Sequence, residues 1–210
     1  MQAKTMIQAA ATVLVLTAAA SWASMKWDFN DGTNQGWQAH TFNAGTPNWA
    51  DRYSGTAIVT TWDASYAISS PHANNDGYPL YGQLYINGLS EVITPASCYA
   101  QFSTKIENTP GYYRSGTFYV TTNKGTYYYG IDAFSNTAVS TNYDWVVNLF
   151  SMTMESGSAM AMGDTITQIM FQEWGYDFTM YADNISLIPE PASMALLALG
   201  GCCLLRRRRG

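Results

Sequence analysis

Short runs of alternating apolar and polar residues recur through the middle of this chain and constrain its fold more than any other feature. The clearest run is 98–106, where Cys98, Ala100, Phe102 and Ile106 fall on one side of an extended backbone. Alternation with a period of two residues is typical of a half-buried β-strand, whereas an amphipathic helix repeats about every 3.6 residues. Helical periodicity is hard to find here, so the middle of the chain is predicted to be all-β.

Further strands are predicted at the spacing of about 8 to 12 residues that is typical of sandwich folds. They cover 57–62, 80–86, 117–122, 126–131, 143–150, 165–171 and 178–187. Asn123-Lys124-Gly125 is predicted to be a hairpin turn, because Gly125 can adopt a positive φ. Roughly eight or nine strands without a crossover helix must pair antiparallel, which predicts an antiparallel β-sandwich, with a jelly roll as the expected arrangement.

The first 23 residues have the three parts of a secretory signal peptide: a cation at Lys4, an apolar run over 6–20 and small residues after it. Ser21 and Ala23 occupy positions −3 and −1 of a cleavage site, so cleavage is predicted between Ala23 and Ser24. The segment predicts a helical leader, export through the Sec translocon and removal by signal peptidase.

The last 23 residues form a second hydrophobic end. Residues 188–210 contain, in order, the tripeptide Pro189-Glu190-Pro191, the apolar segment 192–205 and four arginines, Arg206, Arg207, Arg208 and Arg209. The apolar segment would form a helix about 21 Å long, which is shorter than the ~30 Å hydrocarbon core of a bilayer. Arginines stay on the cytoplasmic side. The segment is too short to span the bilayer comfortably, but thinning of the bilayer and snorkelling of the arginines can cover the mismatch. The tail is therefore predicted to hold the chain transiently or weakly in the inner membrane, with the preceding residues outside.

This order of parts resembles the PEP-CTERM sorting signal of Gram-negative bacteria, and Pro189, Glu190 and Pro191 match its recognition motif. The resemblance covers only the tail and concerns routing. It implies that exosortase, a membrane-embedded cysteine peptidase, processes the tail in an organism that makes exopolysaccharide. It also implies a protein that is held at the inner membrane before processing and then reaches the cell surface or the extracellular matrix.

The body of the chain, 24–187, has the length of one domain. It carries five cations and fourteen carboxylates, a net charge of −9, which argues against a nucleic-acid partner. Cys98 is the single cysteine of the body, so no disulfide can form within it. Because it falls on the apolar side of its strand, Cys98 is predicted to be a small buried residue.

The two edges of the body resemble galactose-binding-like jelly rolls and the carbohydrate-binding modules built on them. The matching segments are 27–37, an opening strand and turn, and 181–187, a closing strand. The resemblance implies that these edges meet and that a structural Ca²⁺ lies nearby, with Asp28, Asp31 and Asp183 as ligands. A plain turn around Asp31, whose carboxylate would accept backbone amide hydrogens, is the alternative.

Three clusters of aromatic residues in predicted loops are candidates for sugar binding, because flat rings pack against the C–H faces of pyranoses. They are Trp49 with Tyr53, Tyr112 with Tyr113, and Trp174 with Tyr176. The alternative is that these are the ordinary aromatic residues of strands.

Catalytic motifs are mostly missing from the sequence, which predicts a protein that is not an enzyme. Glycosidase carboxylates follow no spacing rule, so that activity stays open, with Glu173 as a candidate acid. The sequence therefore predicts an exported, non-catalytic β-sandwich with a structural or adhesive role. The alternatives are a carbohydrate-binding module that contacts extracellular polysaccharide and, second, a glycoside-active enzyme.

Overall fold

The computed structural model describes most of the body of the chain and the beginning of the tail. The residues described are 25–43, 51–62, 65–71, 79–108, 111, 113–135 and 143–190. The predicted leader helix and the hydrophobic segment 192–205 lie outside them. Within these ranges no helix is long and apolar enough to cross a membrane.

Thirteen strands and one short 3-10 helix make up the described part of the chain. The strands are β1 (Met25–Trp27), β2 (Gln38–Asn43), β3 (Asp51–Thr56), β4 (Ile58–Trp62), β5 (Ser65–Ser69), β6 (Leu80–Val92), β7 (Tyr99–Asn108), β8 (Arg114–Thr122), β9 (Gly125–Ser135), β10 (Tyr143–Asn148), β11 (Thr153–Gly157), β12 (Thr165–Gly175) and β13 (Phe178–Ile188). The 3-10 helix is Leu149–Ser151.

These strands form two antiparallel sheets that pack face to face. The six-stranded sheet has the order β10-β7-β13-β5-β4, and β1 also pairs with β13. The seven-stranded sheet has the order β11-β9-β8-β12-β6-β2-β3. Strands next to each other in space are often far apart in sequence, as is typical of a β-sandwich. The predicted fold class is confirmed.

All of the predicted strands are present, most of them with longer bounds than the sequence indicated. Four further strands, β2, β3, β5 and β11, were not identified in the sequence, and an opening strand near β1 was expected only from the resemblance of the edges of the body. They are short, and β11 is exposed at every position, so it lacks the alternation that burial imposes on an inner strand. Its pairing with β9 supplies the hydrogen bonds that define it.

The β8–β9 hairpin is present, but the predicted reason for its glycine is wrong. Gly125 does not have a positive φ. It is required because β11 approaches closely: a Cβ atom on Gly125 would lie 2.1 Å from the Ser156 carbonyl oxygen, and one on Gly157 would lie 2.1 Å from the Lys124 carbonyl oxygen. Two glycines therefore allow the edge strand to pair with its neighbour.

Aromatic side chains fill the space between the two sheets. The Phe102 ring of β7 lies 4.6 Å from Phe118 and 5.0 Å from Phe171, which belong to the opposite sheet. The Phe171 ring also stacks on Trp37 at 5.8 Å. All four side chains are almost fully buried, and Cys98 is buried near the start of β7, as predicted. This aromatic cluster joins the two sheets without a disulfide bond.

The segment between β1 and β2 closes one side of the aromatic cluster. Phe29 is fully buried although its φ is +51°, in the left-handed region that a bulky residue rarely adopts. Trp27 packs edge-to-face on Trp37 at 5.7 Å, and β1 pairs with β13 from Met25↔Leu187 to Trp27↔Ile185. The predicted meeting of the two edges of the body is therefore present.

Replacing Phe102 by alanine is expected to destabilise the fold by about 3–5 kcal/mol, because the cavity left between the sheets removes contacts with two rings at once. Urea unfolding measures this. Val146→Ala is the control, since Val146 lies on β10 with its side chain 52% exposed and should change stability by no more than about 0.5 kcal/mol. Similar losses in both variants would show that the aromatic cluster does not join the sheets.

Candidate functional site

The outer face of the seven-stranded sheet presents polar and aromatic side chains in rows that cross the strands. Inward positions of β8 are buried at every second residue, so the residues between them point outward. The register aligns the outward residues of neighbouring strands. The central row, called the amide row, consists of Thr117, Gln172, Gln83 and His40. On one side of it lies the tyrosine row, which consists of Tyr128, Tyr119, Met170 and Tyr85. On the other side lies the tryptophan row, which consists of Trp174, Tyr81 and Phe42.

Side-chain amides hydrogen-bond to one another across the strands of this face. Gln83 Nε2 donates to Gln172 Oε1 at 2.8 Å, at the centre of the amide row. Farther along the same strands, Gln168 Nε2 donates to Asn87 Oδ1 at 2.6 Å, while Thr121 Oγ1 donates to Gln168 Oε1 at 3.2 Å. These bonds fix the amide orientation and leave further donors and acceptors for a ligand, since each amide can make up to four hydrogen bonds.

Aromatic rings lie on both sides of the amide row. On one side the Tyr119 and Tyr128 rings are 6.1 Å apart. On the other side Phe42 stacks on Tyr81 at 5.2 Å, and Trp174 contacts Tyr176 edge-to-face at 6.2 Å. Rows two residues apart along a strand are about 7 Å from each other. The face thus offers ring surfaces with hydrogen-bonding groups between them.

The electrostatics of this face are close to neutral. The outward positions of β2, β6, β8 and β12, all within the described part of the sheet, carry no lysine, arginine, aspartate or glutamate. Burial raises the pKa of Tyr119, and the charge of Glu155 and the hydroxyls of Tyr81 and Tyr128 raise it further. The Tyr119 hydroxyl therefore stays protonated and can donate a hydrogen bond at neutral pH.

The residues that the sequence analysis selected for sugar binding lie in different places. Trp174 is on the outer face, but it belongs to β12 and not to a loop, because β12 continues to Gly175. Tyr176 follows in the turn before β13. Tyr53 lies opposite Thr41 on the inner side of β3, and its hydroxyl donates to the Thr56 carbonyl at 2.8 Å.

The structure describes one of the three remaining selected aromatics. Tyr113 is exposed just before β8, and Trp49 and Tyr112 are outside the described residues. The central residues of the face, Tyr81, Gln83, Tyr85, Tyr119 and Gln172, were missed. Alternation in 80–86 and 117–122 could have marked them as outward, but only the register shows that they share one surface.

The candidate acid Glu173 lies on the opposite side of its sheet from Trp174. It is fully buried, and its neighbours in the register are Gly82 and Gly116. The buried side chain of Arg114 is diagonally adjacent on the same inner face. A carboxylate enclosed between the sheets cannot reach a polysaccharide on the outer face.

The three predicted calcium ligands each have other partners. Lys26 Nζ donates to Asp28 at 2.9 Å, which lowers the Asp28 pKa, and the backbone and hydroxyl of Thr33 bond to Asp31, which lowers the Asp31 pKa. Asp183 is buried, which raises its pKa, and it accepts two hydrogen bonds from Asn184. In the described ranges no group of three His, Cys, Asp or Glu side chains could hold a metal ion. Calcium binding stays a prediction, and its expected signature is a lower melting midpoint in EDTA.

A smaller polar cluster lies on the outer face of the six-stranded sheet. Tyr181 on β13 donates its hydroxyl hydrogen to Glu107 Oε2 at 2.9 Å. Lys105 Nζ lies 2.7 Å from Glu107 Oε1 and 5.5 Å from the centre of the Tyr181 ring. The hydrogen bond from Lys105 lowers the pKa of Glu107, and burial together with Glu107 raises the pKa of Tyr181 to about 12. This cluster ties β7 to β13.

Comparison with protein families confirms the sorting signal. Residues 187–209 match the model described as the PEP-CTERM protein-sorting motif. The chain therefore carries a PEP-CTERM sorting signal, which indicates exosortase-sorted export. The comparison with curated proteins found no match.

Several solved structures have a similar fold. A carbohydrate-binding module specific for non-crystalline cellulose is 16% identical with a TM-score of 0.47, over 78% of this chain and 93% of that one. The family 11 carbohydrate-binding module of Clostridium thermocellum, in complex with a β-1,3-1,4-mixed-linked tetrasaccharide, is 12% identical with a TM-score of 0.46, over 78% and 94%. An exo-β-agarase is 15% identical with a TM-score of 0.48, over 79% of this chain and 25% of that one.

The Tyr181→Phe variant is expected to be less stable than the natural protein by about 1 kcal/mol at pH 8, because the hydrogen bond to Glu107 is lost. The pKa of Tyr181 is about 12 in the folded protein and near 10 in the unfolded chain. The Tyr181 hydroxyl therefore makes its full contribution to the free energy of unfolding below about pH 10, and that contribution is lost as the pH rises to about 12. Urea unfolding at pH 8, 10 and 11.5 should show the difference shrinking.

Glu107→Gln is the matched variant for this test. It keeps an acceptor for the Tyr181 hydroxyl but removes the negative charge, so the pKa of Tyr181 should fall and the alkaline loss of stability should be smaller than in the natural protein. An identical alkaline loss in the natural protein and both variants would contradict the assignment to Tyr181.

Proposed function

We propose that this protein is an exported, exosortase-sorted component of the cell surface or extracellular matrix that adheres to uncharged polysaccharide. Its ligand lies on the outer face of the seven-stranded sheet. The observation that carries this proposal is the hydrogen-bonded amide row, centred on Gln83 and Gln172, between two rows of aromatic rings. The carbohydrate-binding alternative is thus favoured over an adhesive role without a sugar ligand.

The chemistry of this face matches a carbohydrate. A pyranose has apolar C–H faces and a rim of hydroxyls, so a binding surface needs flat rings together with amides and hydroxyls that both donate and accept. Tyr119, Tyr81 and Trp174 supply rings at the two sides, and Gln83 and Gln172 supply amides between them. The side chains are held by a sheet, which keeps the cost of ordering them low.

The charge distribution favours an uncharged glycan over an acidic one. The rows carry no cation that could pair with a uronic acid or sulfate group, and the body of the chain has a net charge of −9. An acidic polymer would therefore be repelled. Binding to the preferred ligand should be nearly independent of salt concentration, because no ion pairs form.

A role without catalysis is supported by the positions of the carboxylates. Glycosidases place two carboxyl groups about 5 to 10 Å apart across the scissile bond. Glu173 is enclosed between the sheets, Glu107 is on the other sheet, and Glu155 stands at the edge of the face on β11. These three carboxylates do not face one ligand, so we propose binding without turnover.

The sorting half of the proposal rests on the tail. Strand β13 ends at Ile188, and Pro189 and Glu190 follow it directly. Proline lacks an amide hydrogen and cannot continue the strand ladder, so the motif stays extended for a processing enzyme. In this scheme the Sec translocon exports the chain, signal peptidase cleaves after Ala23, the tail holds the chain at the inner membrane, and exosortase processes it.

Trp174→Ala and Tyr119→Ala are each expected to weaken polysaccharide binding at least tenfold, about 1.4 kcal/mol, because each removes a ring from one side of the amide row. Affinity electrophoresis against a panel of uncharged and acidic polysaccharides measures this. Tyr66→Ala is the matched control, since Tyr66 is 43% exposed on β5 of the other sheet and should leave binding unchanged. A protein that binds no polysaccharide of the panel would instead have a purely structural role.

The double variant Pro189→Ala/Pro191→Ala is expected to keep its tail. Intact-mass measurement on protein from the native host should show the natural chain beginning at Ser24 and lacking the arginine cluster, whereas the variant retains it. Pro79→Ala, outside the motif, should be processed like the natural chain. Full-length natural protein free in the cytosol would contradict both export and sorting.

A further inference from the structure

Three exposed apolar side chains surround the end of the sandwich from which the tail leaves. They are Val92, Phe150 and Met162, with exposed fractions of 44%, 39% and 52%. Val92 ends β6, Phe150 lies in the 3-10 helix after β10, and Met162 is in the loop before β12. We call this surface, together with the turn over 93–98 that links β6 to β7, the tail end.

Hydrogen bonds and strand pairs hold the tail end together. The Gly163 amide donates to the Ile93 carbonyl at 2.9 Å, which places the Met162 loop beside the turn. The Leu149 amide donates to the Cys98 carbonyl at 3.1 Å, which places Phe150 on another side. Tyr99, the next residue, pairs with Ile188 at the end of β13. All three apolar side chains therefore surround the origin of the tail.

Both hydrophobic ends of the chain attach at this same place. Met25, which follows the predicted leader by one residue, pairs with Leu187, and Ile188 is the last residue before the sorting motif. The signal cleavage site and the sorting site therefore leave the domain side by side. While either hydrophobic end is in the membrane, the tail end is the part of the domain that is nearest to it.

The link between the domain and the membrane segment is very short. Only three residues separate Ile188 from the apolar segment that begins at Ala192, so Ile188 lies at most about 14 Å from the first residue of that segment. The polar headgroup region is itself roughly 5 to 8 Å thick. The apolar segment is also shorter than a full span, which draws the domain closer to the bilayer.

We propose that the tail end is a lipid-contacting surface: before the tail is processed, Val92, Phe150 and Met162 rest in the headgroup region of the bilayer that holds the tail. The inference rests on the membrane-anchored tail of the proposed function and is independent of sugar binding. Apolar side chains on a polar surface are typical of interfacial membrane contacts, and the tether makes the contact effectively intramolecular. The domain then stands with its strands upright and its outer faces away from the lipid.

Charged residues of both signs lie near the tail end, so charge does not determine whether this surface contacts the bilayer. Lys124 is exposed in the β8–β9 turn and suits anionic headgroups, but Glu91 is partly exposed and Glu190 is exposed nearby. The Asp164 carboxylate is buried and accepts a hydrogen bond from the Ala161 amide at 2.8 Å. The contact should therefore depend little on the content of anionic lipid.

The test uses the full chain, produced with its tail intact in a host without exosortase and reconstituted into phosphatidylethanolamine/phosphatidylglycerol vesicles. Cys202 and Cys203 are replaced by serine, and buried Cys98 is kept. A fluorophore is attached to Ser151→Cys or Ala161→Cys, exposed positions that leave the three apolar side chains in place. The control label is at Tyr113→Cys, next to the start of β8 at the opposite end of the sandwich.

Nitroxide lipids that carry the spin label near the headgroup should quench the fluorophores at positions 151 and 161 at least threefold more than the fluorophore at position 113. Aqueous cobalt should quench the fluorophores at 151 and 161 at least threefold less than the one at 113. In chains that also carry the triple change Val92→Ser/Phe150→Ser/Met162→Ser, the quenching at positions 151 and 161 should become equal to the quenching at position 113. Equal quenching at all three positions in chains that float with the vesicles would overturn this inference alone. Chains that do not float with the vesicles would overturn it together with the anchored tail.

Discussion

The Phe102 ring packs against Phe118 and Phe171 of the opposite sheet, and this contact at the centre of the core holds the two sheets face to face. The body contains one cysteine and therefore no internal disulfide, so buried apolar surface, and not a covalent link, holds the two sheets together. Trp37 extends the cluster to the segment that links the first two strands. The inward positions of the central strands are mostly apolar and pack against this cluster.

Because the inward positions of the strands form the core, only the outward positions are available to contact a ligand. Away from the bulge near the start of β12, side chains alternate along each strand, so the residues between the core positions of β6, β8 and β12 point outward. A rigid sheet then holds their amides and rings in fixed rows. The same alternation explains why Glu173 and Trp174, adjacent in sequence, have opposite environments: one is enclosed between the sheets and the other belongs to the outer face.

The pairing of β1 with β13 links the fold to export. It brings Met25, close to the predicted signal cleavage site, and the last residues before the sorting motif to one end of the sandwich. The strands run from this end of the sandwich to the opposite end. A domain that is tethered at this end therefore exposes the outer faces of both sheets to solvent. The polysaccharide-binding face proposed for the seven-stranded sheet is then accessible whether or not the tail is still attached.

The all-β class, the positions of eight strands, the buried side of β7 and the sorting signal could all be predicted from the sequence, because each depends on a local pattern of alternation or on a contiguous motif. The set of residues that share one face could not be predicted in this way. Gln172 becomes a neighbour of Gln83 and Tyr81 only through the pairing of β12 with β6, some ninety residues away in the sequence. Local alternation distinguishes the two sides of a strand, but only the register between distant strands decides which outward side chains meet.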